Sequence, residues 1–330
     1  MSWKEYLGDS ILDWLLEENN PSVRYRTLRG LLDKSVKSSE VIETQEQIME
    51  TSCIKSILKE QSPDGYWINL DDMYNPKYRA TTHNLLILAE LGAKRIPQVE
   101  KAIEHVFKFQ RNSGHFLITM PKTEKGRASE VKDGCCYDGN ILYYLIHFGY
   151  LNDSKTQKLI RFQEDYYSSS EGGWKCRAYP IDAGKVFPAN CYMGRVKMLK
   201  ALSAIPKNKR AKKVNEIIDL EVEVIMENQV YKYLRNLDGT RKEKAGWKRF
   251  GFPMFYQSDI LEVLNILALL GVKDSRMQDS IDVVIKAQQK NGKWLLKDTF
   301  NGKMICDIEE KGKPSKWITY RALYALKGYY

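Results

Sequence analysis

Long hydrophobic runs are missing from this sequence: no stretch approaches the roughly 20 apolar residues that a membrane-spanning helix requires. Residues 1–18 mix acidic side chains with apolar ones and lack the basic start and uncharged stretch of a signal peptide, so a cytoplasmic protein is expected. Cysteine frameworks are missing as well. The six cysteines (Cys53, Cys135, Cys136, Cys176, Cys191, Cys306) show no Cys-x-x-Cys spacing and are too few to staple 330 residues, so reduced thiols are expected. Zinc-finger, helix-turn-helix and RNA-binding signatures are also absent. That matters because the chain is basic, with 52 Lys and Arg against 42 Asp and Glu. The densest basic run, Lys207, Lys209, Arg210, Lys212 and Lys213, opens an amphipathic stretch (Val214, Ile217, Ile218, Leu220) and reads as a solvated helix face. Nucleic acid is therefore not an expected partner.

The sequence does contain an ample core and a repeat. Hydrophobic residues make up 43% and aromatics 11%, which suits a folded domain and excludes a disordered chain. Gln61 to Gly65 and Trp67, Gln110 to Gly114 and Phe116, and Gln289 to Gly292 and Trp294 share one form: Gln, a short spacer, Gly, any residue, aromatic. Gln163 through Gly173 and Trp174 is a copy with a longer spacer, and Gly246-Trp247 marks a degenerate one. The aromatics recur at roughly 50 to 60 residues, one helical pair per repeat.

Segments with a charged face precede the copies (99–110, 155–163, 277–289) and read as outer helices. More apolar segments that end near Gly follow (78–92, 136–149, 191–204, 257–271, 315–328) and read as inner helices. With 22–34 as a further inner helix, and 2–18 and 40–61 as outer ones, the periodicity gives about twelve helices, close to the six pairs that can close a ring. In the motif, the Gln amide can bond free backbone groups at helix ends, the Gly permits a left-handed turn, and the aromatic stacks on the neighbouring pair.

On these copies the chain resembles the terpenoid cyclases and the β subunits of protein prenyltransferases, whose Gln-to-Trp repeats stack into an α6/α6 toroid. The resemblance covers nearly the whole chain and implies a single all-α domain over 1–330. It implies scaffold rather than chemistry, because the motif is structural in that family.

Alignment of the inner helices on their closing Gly places Thr81, Asp138 and Asp259 at one level, and His83, Asn140, Glu262 and Thr319 slightly further in. Polar groups at matched depth on apolar helices point to a lined interior. The candidate acid, base or cation-stabilising groups are Asp138, Asp259, Glu262 and His83. Parallel inner helices gather their N-terminal ends at one mouth, where helix dipoles favour anions. Arg24, Arg26, Arg79, Lys316 and Arg321, with Tyr137, Tyr192, Phe255, Tyr256, Trp317 and Tyr320, lie near those ends. The expected ligand has an anionic head and an apolar tail, such as an isoprenoid diphosphate, with Arg24, Arg79, Tyr137, Asn140, Tyr256, Trp317 and Arg321 as its contacts.

The Asp-x-Asp-Asp acid of the alkene-protonating cyclases is lacking; Asn69-Leu70-Asp71-Asp72 is the nearest string and misses the first acid. Asp71-Asp72-Met73-Tyr74-Asn75 is similar to the magnesium-binding aspartates of ionising terpene synthases, which occur on another fold, and reads as loop composition. Asp133-Gly134-Cys135 with Cys136 looks similar to the zinc-binding Asp-x-Cys of the prenyltransferase β subunits. The only downstream histidine, His147, is on the same helix, roughly 18 Å away. A mixed zinc set of His83, Asp133, Cys135, Cys136 and Cys191 is the alternative. The resemblance also implies a partner subunit for a prenyltransferase. Opposed to an isoprenoid enzyme stands a non-catalytic ring that binds protein or peptide.

Overall fold

A computed structural model describes residues 2–8, 10–123, 134–168, 173–174, 191–234 and 241–330. The chain divides into two compact units: residues 1–57, 90–94 and 223–330 form the first, and residues 58–89 and 95–222 the second. Helices dominate both. The helical character agrees with the all-α expectation, and the one addition among the described residues is a short antiparallel ladder of β1 (Lys232–Leu234) and β2 (Arg241–Glu243) in the first unit.

The first unit is built on α1 (Ile11–Leu15), α2 (Pro21–Gly30), α3 (Ser39–Met49) and the start of α4 (Ser52–Lys59), then, from the far end of the chain, α11 (Ile260–Leu270), α12 (Gln278–Lys286) and α13 (Lys316–Tyr329). The 40–61 segment is two helices rather than one, broken at Glu50 and Thr51. Sequence cues set the starts. Pro21 opens α2 behind an Asn20 cap whose side chain accepts from the Val23 amide. Helix α11 (Ile260–Leu270) starts at Asp259 and stops at Gly271, which adopts φ 74°. Helix α12 (Gln278–Lys286) turns Ile281 and Val284 inward, and α13 (Lys316–Tyr329) is capped by Ser315. Packing brings α13 against both α11 and α2. The Lys327 ammonium donates to the carbonyls of Gly30 and Leu31 at 3.0 and 3.1 Å, neutralising the C-terminal end of α2.

The second unit contains most of α5 (Thr81–Leu91), then α6 (Pro97–Phe107), α7 (Cys135–His147), α8 (Ser154–Ser168), α9 (Tyr192–Ala204) and most of α10 (Lys212–Glu227). Helix α6 shows the outer pattern: Val99, Ala102, Ile103 and Val106 are buried along one face. Helices α7 and α9 pack closely because Gly139 presents no side chain; a Cβ there would stand 2.8 Å from the Lys197 carbonyl carbon. A buried ion pair, Arg195 with Glu221, joins α9 to α10.

Among the described residues, no helix is long and apolar enough to cross a membrane. The expectation of reduced thiols is corrected at one pair. Cys53 and Cys306 are joined, with Cα atoms 5.3 Å apart and a sequence separation of 253. No local spacing encodes such a pair; tertiary packing of the first unit creates it.

Candidate functional site

The repeat motif has one geometry at three places. Gln61 Nε2 donates to the Gly65 carbonyl at 3.2 Å and to the Gln98 carbonyl at 2.9 Å. Gln110 Nε2 donates to Gly114 and Lys155 carbonyls, both at 2.8 Å. Gln288 Nε2 donates to Gly292 at 3.0 Å and to Tyr6 at 2.9 Å. The amide thus closes its own turn and holds the start of a neighbouring segment. The third copy is corrected by one residue, from Gln289 to Gln288, which gives all three the same Gln-x-x-x-Gly-x-aromatic spacing. Each motif Gly is left-handed, and at Gly114 (φ 116°) a Cβ would stand 2.5 Å from the Lys158 carbonyl oxygen. The longer copy differs: Gln163 donates to Asp138 Oδ2 at 2.7 Å, while Trp174 Nε1 donates to the Gln163 carbonyl at 3.3 Å.

The polar residues aligned on the inner helices complete this clamp. Thr81 Oγ1 accepts from the Trp67 amide at 3.0 Å, Asp138 Oδ1 from Phe116 at 3.1 Å, and Thr319 Oγ1 from Trp294 at 3.0 Å. Asp259 accepts from the amides of Gly251 at 3.0 Å and Glu262 at 2.7 Å, and pairs with Arg321 at 2.9 Å. Two of the three predicted acids, Asp138 and Asp259, therefore accept hydrogen bonds from their own chain. Burial pushes the Asp259 carboxyl up, opposed by Arg321 and the two amides. Asp138 and His83 belong to the second unit, and Asp259 and Glu262 to the first. Asn140 and Glu262 are buried, and Tyr256 is half-buried.

Sequence reasoning did not foresee the surroundings of His83. Tyr74 and Tyr78, from the loop before α5, place their rings 5.0 and 5.7 Å from it, and Tyr137 meets Tyr74 edge-on at 6.3 Å. The Tyr137 hydroxyl donates to the Leu117 carbonyl. Burial, helped by Lys77, lowers His83 to about 3. It is consequently held neutral at physiological pH, a weakly basic ring within an aromatic wall. Stability follows. Between the ordinary histidine value near 6.5 and about 3, the unfolded chain binds a proton that the folded chain refuses, so folding weakens as pH falls through that window. His83→Phe is expected to flatten the acid limb of a denaturation-midpoint profile by up to about 1.4 kcal/mol per pH unit. An unchanged slope refutes the burial assignment.

The zinc set does not assemble. Asp133 lies outside the described residues, and among the described residues no three His, Cys, Asp or Glu side chains are placed to hold a metal. Cys135 and Cys191 both flank Gly194, whereas the ring contacts of His83 are with Tyr74 and Tyr78. Burial pushes the Cys136 thiol up to about 12 and raises Cys135 as well, the reverse of thiolate activation. His147 ends the same helix that Cys135 begins.

The cations expected at an anion-binding mouth are also committed. Arg24 pairs with Glu18 and Glu40, Arg79 with Glu60, and Lys316 with Glu17. Arg26 donates to the Glu90 carbonyl at 2.9 Å. Glu309, unforeseen in the sequence, occupies the N-terminal end of α13, accepting from the Ser315 hydroxyl and from the Lys316 amide at 2.9 Å. The α13 dipole thus faces a carboxylate of its own chain. Trp317 in the first turn of α13 stacks on Phe252 at 3.9 Å, with ring planes 11° apart.

No protein-family model and no curated protein sequence matches the chain. Among solved structures it is similar to the type II terpene cyclase MstE from Scytonema. The likeness to the apo form is 13% identical with TM-score 0.45, covering 94% of this chain and 87% of that one. A variant of the same cyclase in complex with geranylgeranyl dihydroxybenzoate gives 12%, TM-score 0.44 and the same coverage, 94% and 87%. A family 10 polysaccharide lyase from Cellvibrio cellulosa gives 15% and TM-score 0.36, covering 67% of this chain and 76% of that one. Likeness at this level assigns no activity.

Proposed function

We propose that this chain is a terpenoid-cyclase-like protein that binds an isoprenoid-type apolar molecule. The observation that carries this reading is the aromatic group in the second unit, where Tyr74 and Tyr78 of the loop before α5 lie against a neutral His83 and Tyr137 meets Tyr74 edge-on. Such a group offers π faces to an apolar chain, or to a cation developing on one, without placing a charge beside it. The repeat motif supports the same reading through its resemblance to the terpenoid cyclases. No acid is assigned, since Asp138 and Asp259 accept hydrogen bonds from their own backbone. The chemistry proposed is binding, with cation stabilisation as the only catalytic contribution.

A second reading, a non-catalytic scaffold for protein or peptide, is favoured by one observation. The matched polar residues Thr81, Asp138 and Thr319 all tie down repeat backbone. Thermal unfolding with C15 and C20 isoprenoids separates the two. A concentration-dependent rise in Tm supports the first reading, and Tyr74→Ala should then weaken the response by about tenfold, the loss of one aromatic contact of ~1.4 kcal/mol. No rise with any isoprenoid supports the scaffold.

A further inference from the structure

His83 is 1% exposed, so no ligand reaches its ring unless part of its cover moves. That cover is of two kinds. Tyr137 belongs to α7 and is fixed through its hydroxyl, which donates to the Leu117 carbonyl at 3.2 Å. Tyr74 and Tyr78, with ring centroids 5.0 and 5.7 Å from that of His83, belong instead to a crossing, residues 74–79, whose tip of Asn75, Pro76 and Lys77 is exposed.

The crossing is moored at both ends. Before it, the Met73 amide donates to the Ile118 carbonyl at 3.0 Å and the Met120 amide to the Asp71 carbonyl at 2.8 Å. After it, the Thr82 amide donates to the Met73 carbonyl at 3.1 Å, and the Asn84 side chain to the Arg79 carbonyl at 2.7 Å. Between these moorings the fastening is by side chains. The backbone amides of Tyr74 and Asn75 and the Asn75 side-chain amide all donate to one carboxylate, Asp72, at 2.8, 2.9 and 3.0 Å. Arg79 pairs with Glu60 at 3.1 Å, but with side chains 46% and 44% exposed the pair is screened by water and salt. Tyr78 adopts φ 73°, a left-handed conformation that a bulky side chain takes only under constraint, so release of the crossing relieves strain as well. All of these residues belong to the second unit.

Resting on the isoprenoid reading above, we infer that residues 74–79 are a strap that lifts Tyr74 and Tyr78 off His83 to admit the ligand and then closes both rings upon it. The Asp72 carboxylate is the latch. Helices α5 and α7 and the mooring at 71–73 stay in place, so entry needs no unfolding of the unit. The ligand then lies between the strap rings and His83.

The test is the reaction of the full chain with diethyl pyrocarbonate, which acylates the histidine rings it can reach, read site by site by peptide mass spectrometry. His105 and His115, 1% and 0% exposed in the same unit, are as buried as His83 but under other covers: Tyr66 and Phe109 lie against His105, and Phe162 against His115. Static burial predicts equal protection for all three. With the strap, His83 should react at least about tenfold faster than either, and Asp72→Ala should speed it about tenfold further while His105 and His115 keep their rates. Saturating geranylgeraniol should slow His83 alone. Equal rates at the three wild-type sites, or an Asp72→Ala variant that leaves the His83 rate unchanged or speeds all three alike, overturn the strap. Selective reaction of His83 that geranylgeraniol does not slow keeps the strap and overturns the isoprenoid reading.

Discussion

Replacing Asp138 with alanine is expected to destabilise the protein by about 3–5 kcal/mol, because two buried donors lose their acceptor at once. Phe116 N donates to one carboxylate oxygen and Gln163 Nε2 to the other, and Asp138 itself is 2% exposed. Asp138→Asn should cost far less, on the order of 1 kcal/mol. The asparagine carbonyl keeps the Phe116 bond, and the new amide can donate to Gln163 Oε1, which has no partner in the wild type, once the Gln163 amide turns over. Equilibrium denaturation of both variants checks this. The ordering separates a clamp from a catalytic acid: an acid would lose turnover in the asparagine variant while both variants kept their stability. Equal losses for the two variants would contradict the amide exchange, and no loss in the alanine variant would contradict the clamp.

Helix positions were legible because periodicity and a closing Gly mark them. The 78–92, 136–149 and 257–271 segments stand as α5, α7 and α11, followed by left-handed Gly92, Gly149 and Gly271. Residue function was less legible, for a physical reason. Sequence gives the depth of Asp138 or Thr319 on an inner helix; it does not give the partner, and here the partner is the amide of a motif aromatic some 20 residues earlier. A polar residue serving the backbone and one lining a cavity look the same at that level. The Gln288 shift arose because Gln288 and Gln289 are adjacent; the four-residue step from Gln to Gly in the other two copies already favours Gln288, and the hydrogen-bonded turn selects it. Glu309, Tyr74 and Tyr78 lie in loops without periodicity, so no pattern announced them. Their one sequence signal was proximity to an inner-helix start, since each lies within eight residues of α5 or α13.

Severing the Cys53–Cys306 link is the second large expected effect. The bridge closes a loop with a sequence separation of 253, for which the chain-entropy relation gives roughly 5 kcal/mol as a ceiling. Both cysteines are half-buried, so a small thiol can reach them. Reductant should lower the denaturation midpoint of the wild type. Cys53→Ser, Cys306→Ser and the double variant should share that lower midpoint, with no further response to reductant, because all three remove one interaction. A wild type indifferent to reductant would show that the bridge adds nothing. The consequence extends past stability, since the loop that carries Cys306 also carries Glu309, and Glu309 holds the Ser315 hydroxyl and the Lys316 amide at the start of α13. Freeing Cys306 loosens that cap and, with it, the first helical turn on which Trp317 sits. Hydrogen exchange should therefore rise at Lys316 and Trp317 in Cys306→Ser, while the Gln110 turn in the second unit, tied by Gly114 and Lys155, keeps its protection.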